Sequence, residues 1–504
     1  MAFISNRQTP ASALRGSMLW LIALLLTAAV NVVSDTAAIT YITGMLLLTF
    51  FPGALLVRLI ISREDFDVLS RIMLAVGLSL VLNCLGYFVL CYVIDQVTRP
   101  VVIGMIIGYA FLFLLLYQWK RPGPRPRFKR PSLWTALAFA VLILGAALRL
   151  THLGYSDYIG DEAGNCMTNS LELVRGHQYV LLEPIATGNR RPPTQVLIPA
   201  LSYLLTRTFD EGVMRFPFAL AGLAAIWLMY ILGREFFKSP LGGLVACFLS
   251  AINGYFLIFS RLVQYQSIVI LLMILSALFF WRFMKYDEQA LMSKYLFLGT
   301  LFFSFSVFTH YEGLLFLPAA VFALVYKGRR AGWKNCRIPL AGSCLLFLVI
   351  TALFYIPFFF IAPGSMDALS THWHTRHDAS LHFNADLFSI SMPFYISKAY
   401  MIALIVLSLF SFFTKNRALL GFIGCWFLMP FIYYVVICST SHTHVYTFYP
   451  AWIILGSCGF MVIFDKLSRI PLTPLIPSRF LSYSLTAVLL VVVVFTCEYL
   501  HNMF

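Results

Sequence analysis

The chain has 504 residues, 60% of them hydrophobic and 16% aromatic, with a mean hydropathy of +0.85. Soluble domains run nearer half apolar, so this composition excludes a soluble globular fold and predicts an all-α polytopic membrane protein. The net charge of +15 comes from short loops between apolar runs rather than from one basic face interleaved with aromatics, so nucleic acid is not an expected partner.

Apolar runs near 20 residues are read as membrane-crossing helices. The first four are 17–34, 39–59, 72–94 and 101–118. The first is expected to stay as an anchor, because spans continue after it and no convincing cleavage site follows. Next comes KRPGPRPRFKRP, residues 120–131, whose prolines forbid a helix and whose charges mark a cytoplasmic connector. This divides the chain into a four-helix membrane module, 1–131, and a membrane core, 132–504. The core opens with a span at 133–150 and then a polar outer loop, 151–215. Further spans are expected at 216–237, 241–260, 267–284, 295–308, 314–326, 340–361, 393–413, 419–437, 446–464 and 481–499, roughly fifteen in all. A second outer loop covers 363–392. Nearly all of the ten cysteines lie inside apolar runs, and there is no CxxC, so they read as small buried hydrophobes.

With the N-terminus inside, 26 of the 36 Lys and Arg fall in inner loops, which is the positive-inside pattern. All ten histidines then fall outside, as does the C-terminus. The outer loop 151–193 is the densest ionisable stretch, with Asp157, Asp161, Glu162, Glu172 and Glu183 among Arg175, His177, Arg190 and Arg191. A helical run, 163–175, follows the acidic pair Asp161-Glu162. The apolar run 194–208 ends near Arg207 and is expected to lie in the interface plane rather than to cross.

The outer ends of the spans carry a set of short motifs in fixed order. These are Asp161-Glu162, Pro192-Pro193, Arg215-Phe216-Pro217, Ser260-Arg261-Leu262-Val263-Gln264-Tyr265-Gln266, Thr309-His310-Tyr311-Glu312-Gly313, and His444-Val445-Tyr446 before Tyr449-Pro450. The layout resembles the GT-C glycosyltransferases of the protein O-mannosyltransferase and aminoarabinose transferase type, over roughly 132–467. It departs from them at Gln264 and Gln266, where relatives often carry a basic and an acidic residue. It also lacks a large soluble C-terminal domain, and the first four spans are additional.

The resemblance implies a GT-C-like helical bundle that moves a sugar from a polyprenyl-phosphate donor to a hydroxyl acceptor on a lipid, glycan or protein. The transfer takes place at the extracytoplasmic face of a bacterial inner membrane, with inversion. On this reading Asp161 is the general base and Glu162 orients the acceptor. Arg191, Arg215, Arg261 and His310 contact the donor phosphate. Tyr265, Glu312, His444 and Tyr446 line the sugar and acceptor pocket. A carboxylate suits the base role because an acceptor hydroxyl must lose its proton as it attacks. Asp161 also suits a helix N-cap, and the arginines also suit interfacial snorkelling. A ligase that transfers whole glycans from the same carrier fits the sequence nearly as well. A transporter fits less well, because two-fold repeats and mid-span charges are missing. The spacing His372-x-His374-x-x-His377 is compatible with zinc, but no metal or other cofactor is expected, and this segment reads as a loop over the site.

Overall fold

The computed structural model describes residues 10–62, 65–118, 132–158, 162–182, 193–361, 398–438 and 444–468. The described residues are helical throughout, with no strand among them. The chain begins with α1 (Pro10–Val33), α2 (Ala37–Thr49), α3 (Phe51–Ile60), α4 (Val68–Val93) and α5 (Arg99–Gln118). After α6 (Leu133–Leu150) comes a π-helical turn, Glu162–Thr168, continued by α7 (Asn169–Val174), α8 (Tyr179–Leu182) and α9 (Thr194–Thr206). Then follow α10 (Glu211–Phe237), α11 (Pro240–Ala251), α12 (Gly254–Phe259), α13 (Gln266–Lys285) and α14 (Gln289–Thr309). A 3₁₀ turn, Tyr311–Phe316, leads into α15 (Leu317–Ala331) and α16 (Trp333–Ile361). The last described helices are α17 (Lys398–Phe410), α18 (Arg417–Ile432) and α19 (Tyr449–Leu467), with a 3₁₀ turn at His444–Thr447.

Eleven described helical stretches are long and apolar enough to cross a membrane. Three more expected spans appear as shorter apolar helices, Met18–Val33, Pro240–Ala251 and Ala399–Phe413, while 481–499 lies outside the described residues. Burial ranks the spans. The α13 span is 100% buried and α10 is 83% buried, so they form the centre. By contrast α6 and α16 are each 22% buried and lie at the periphery.

Polar caps set several helix starts. Asp67 accepts from the Ser70 N–H at 2.8 Å, and Asp210 from Gly212 N–H at 2.9 Å, so α4 and α10 begin where a side-chain oxygen satisfies an orphan donor. The expected span 241–260 is two helices: Asn253 breaks it by accepting from the Phe256 N–H at 3.1 Å, which starts α12. The run 39–59 also breaks, at Phe50, ahead of Pro52 at the start of α3. The run expected in the interface plane is α9, whose side chains are buried almost all round against α2, α4, α5 and α7. At 13 residues α9 is not among the helices long and apolar enough to cross a membrane, and it packs between other helices.

The four N-terminal spans pack directly on the later chain. Gly77 of α4 meets Leu275 of α13, and Trp227 of α10 donates to the Ser70 hydroxyl at 3.0 Å. Asn31 donates to the Leu205 carbonyl of α9 at 3.0 Å, and Asp65 pairs with Lys294 at 2.9 Å. The described helices α1–α5 thus pack on α9, α10, α13 and α14 at several points, and the basic connector lies outside the described residues.

Candidate active site

Two buried polar clusters meet at one end of the bundle. That end gathers the C-termini of α6, α14 and α18 and the N-termini of α10, α13 and α19. The opposite end holds the basic residues Arg234, Arg282, Lys285, Lys294, Lys327, Arg417 and Lys466.

The first cluster is a clamp. Glu162 and Arg215 are both fully buried and pair through two parallel hydrogen bonds, Nε to Oε1 at 2.9 Å and Nη2 to Oε2 at 2.8 Å. Glu162 Oε1 also accepts from the Val263 backbone N–H at 2.8 Å. Arg215 spends its remaining N–H groups on carbonyls of the segment after α6: Leu153 and Ser156 at 3.0 Å and Asp157 at 3.3 Å. All five guanidinium donors therefore have protein acceptors, an arrangement only the planar arginine fork provides. Arg261 caps the C-terminus of α6, donating to Leu148 at 2.8 Å, Thr151 at 3.0 Å and His152 at 3.2 Å, where the helix dipole favours a cation. The Tyr155 ring lies between the two guanidinium groups, 5.1 Å from Arg215 and 5.2 Å from Arg261. Nearby, burial and then the charges of Glu211 and Glu162 push the Tyr158 hydroxyl above the usual phenol range.

The second cluster surrounds Glu312, which is 1% exposed. Tyr434 donates to its Oε1 at 2.7 Å, and Tyr446 donates to Oε2 in a short hydrogen bond. His444 Nδ1 meets Oε1 in a short contact, and His310 Nδ1 lies 3.3 Å from Oε2. The His310 ring stacks face to face on Tyr265, with centroids 3.8 Å apart and planes 5° from parallel. Burial, and then the Glu312 carboxylate, hold the Tyr446 hydroxyl well above the phenol range, so it stays a donor.

The segment between α12 and α13 joins the clusters. Val263 touches Glu162, and two residues on, Tyr265 packs on His310. Thr194, which opens α9, donates to Thr309 at 3.3 Å, so the start of α9 lies beside the residue that precedes His310. The structure thus gathers Glu162, Arg215 and Arg261 on one side and Tyr265, His310, Glu312, His444 and Tyr446 on the other. Asp161, Arg191 and the histidines of 372–382 lie outside the described residues. Among the described residues no group of His, Cys, Asp and Glu is arranged to hold a metal.

Sequence reasoning passed over three members. Tyr434 lies in the middle of an apolar run, with no local sign of its carboxylate partner. Tyr155 and Arg149 are the others; Arg149, buried in the last turn of α6, donates to the Ala251 carbonyl ending α11 at 3.2 Å. The only local signal for Arg149 was a cation at the very end of an apolar run.

Residues 190–356 match the family model described as dolichyl-phosphate-mannose-protein mannosyltransferase. That stretch holds Arg215, Arg261, Tyr265, His310 and Glu312, and the match agrees with the resemblance carried by the motif order. Among solved structures, the chain is similar to ArnT from Cupriavidus metallidurans bound to undecaprenyl phosphate, at 17% identity and a TM-score of 0.49, covering 71% of this chain and 62% of that one. It is also similar to the Archaeoglobus fulgidus oligosaccharyltransferase tethered with an acceptor peptide, at 14% identity and a TM-score of 0.48, covering 71% of this chain and 53% of that one. The chain therefore spans less than two thirds of the length of either structure. No curated protein sequence matches it.

Proposed function

We propose that the chain is an integral membrane glycosyltransferase that moves a sugar from a polyprenyl-phosphate carrier to a hydroxyl acceptor, with inversion at the anomeric carbon. The observation that carries this reading is the clamp. It fixes Glu162 to Arg215 and to the Val263 N–H beside a second buried cluster, at the bundle end away from the basic loops. The positive-inside pattern of the sequence supports reading that end as the extracytoplasmic one. The family match over 190–356 supports a lipid-phosphate-linked sugar as donor.

The clamp changes how the acidic pair divides its work. Glu162 accepts three hydrogen bonds, two at Oε1 and one at Oε2, so its first role is that of an anchor. Asp161 is one peptide away and is assigned as the base. Arg215 and Arg261 spend donors on backbone carbonyls and hold the segment 148–157 in place; phosphate contact is left to the second cluster and to Arg191.

The test is Asp161→Asn, purified and assayed for transfer from a lipid-linked sugar. Asparagine keeps the shape and much of the capping ability and loses only the basicity. A base contributes roughly 10²- to 10⁴-fold, so turnover is expected to fall by at least that much while the protein stays folded and still binds donor. Near-normal turnover would return Asp161 to a capping role.

A further inference from the structure

Glu162 and Glu312 are both buried carboxylates, but they are neutralised differently. Glu162 has an arginine. Among the described residues, the ion partners of Glu312 are two imidazoles. A buried carboxylate needs partners that satisfy it, and among the described residues the two imidazoles stand beside it with the hydroxyls of Tyr434 and Tyr446.

The two histidines are not equivalent. His310 Nδ1 lies 3.3 Å from the Glu312 backbone N–H, which caps the 3₁₀ turn, and 3.3 Å from Glu312 Oε2, so the backbone and the carboxylate compete for this nitrogen. Its ring is also held between Tyr265 and Tyr311, at 3.8 Å and 4.1 Å. His444 Nδ1 faces carboxylate oxygen directly. An ionised carboxylate only accepts, so His444 Nδ1 carries a hydrogen and donates it. With that proton pinned, the second proton of an imidazolium sits on Nε2, on the far side of the ring from Glu312. Among the described residues, the groups facing His444 include Glu312 from the 3₁₀ turn, His310, Tyr265 before α13 and Tyr434 after α18. His444 is also the member nearest the surface, 9% exposed against 0–2% for the others.

We propose that His444, its ring oriented by Glu312, is the side chain that meets the phosphate of the lipid-linked donor, with Glu312 and Tyr434 as its positioning residues. This rests on the lipid-phosphate reading above and moves the phosphate contact from His310 to His444. The carboxylate does for His444 what the buried acid of a catalytic triad does for its histidine: it fixes the ring and its tautomer.

The test compares two probes that differ only in charge, undecaprenyl phosphate and undecaprenol, titrated against the full-length protein in nanodiscs. Wild type is expected to prefer the phosphate. His444→Gln should lower that preference about tenfold or more, the range of a charge-assisted hydrogen bond, whereas His444→Lys, which keeps a cation, should retain most of it. Glu312→Gln should lower the preference alone but add nothing in the His444→Gln background, and Glu312→Asp should recover part of it. Tyr434→Phe should act in the same direction, more weakly. A His444→Gln protein that keeps the wild-type preference, or a lysine variant that loses it, overturns the assignment. If wild type itself does not distinguish phosphate from alcohol, the lipid-phosphate reading falls as well.

Discussion

At the scale of single residues, the two carboxylates Glu162 and Glu312 organise the site, and each was visible in the sequence only as one acid among several. Their partners are 53 and 132 positions away in the cases of Arg215 and His444. Sequence order therefore showed the participants but not who holds whom. Tyr434 was invisible for the same reason: a tyrosine in an apolar run gains meaning only when a distant carboxylate turns out to need its hydroxyl. The Glu162–Arg215 pair is open to a direct check. Removing one partner leaves an uncompensated buried charge, at a cost of about 3–5 kcal/mol. Arg215→Leu or Glu162→Leu is each expected to lower unfolding stability in detergent by that order, and the double variant should cost clearly less than the sum. Additive losses would mean the pair is not the clamp described.

At the scale of elements, hydropathy located the spans well where one helix crosses without interruption, as in α6, whose bounds match those expected from sequence. It failed where a polar cap interrupts an apolar run, as at Asn253, because a hydropathy window averages over a single break. It did not show how deeply α9 is packed, since a short apolar run looks the same whether one face or nearly every face is covered by protein. Close helix contact through small residues is a further element-scale feature. A Cβ on Gly53 would stand 1.9 Å from the Ala75 carbonyl oxygen, while one on Gly104 would meet nothing within 4 Å. Gly53→Ala should therefore wedge α3 from α4 and lower the melting temperature by several degrees. Gly104→Ala should leave it unchanged or raise it, alanine being the better helix former by about 1 kcal/mol. Equal effects at the two positions would remove close packing as the explanation.

At the scale of the whole molecule, the basic connector suggested an independent first module, whereas the contacts tie α1–α5 to the core at several points. A chain lacking residues 1–131 would bare the faces of α9, α10 and α13 that α2 and α4 cover. We expect that truncation to aggregate on size exclusion in mild detergent, and co-expression of 1–131 as a separate polypeptide to restore a monodisperse peak. A stable, active truncation would show that the N-terminal helices are dispensable.

The same contacts have a consequence for biogenesis. Asp65 is synthesised 229 residues before Lys294, and Ser70 is synthesised 157 residues before Trp227. At translation rates of roughly 5–20 residues per second, the α3–α4 corner waits on the order of ten to fifty seconds for its salt bridge. During that interval the early helices sit in the bilayer with polar groups bare and with small-residue faces that later helices will fill. An insertion chaperone, or another copy of the nascent chain, has its widest opportunity to act on the protein then.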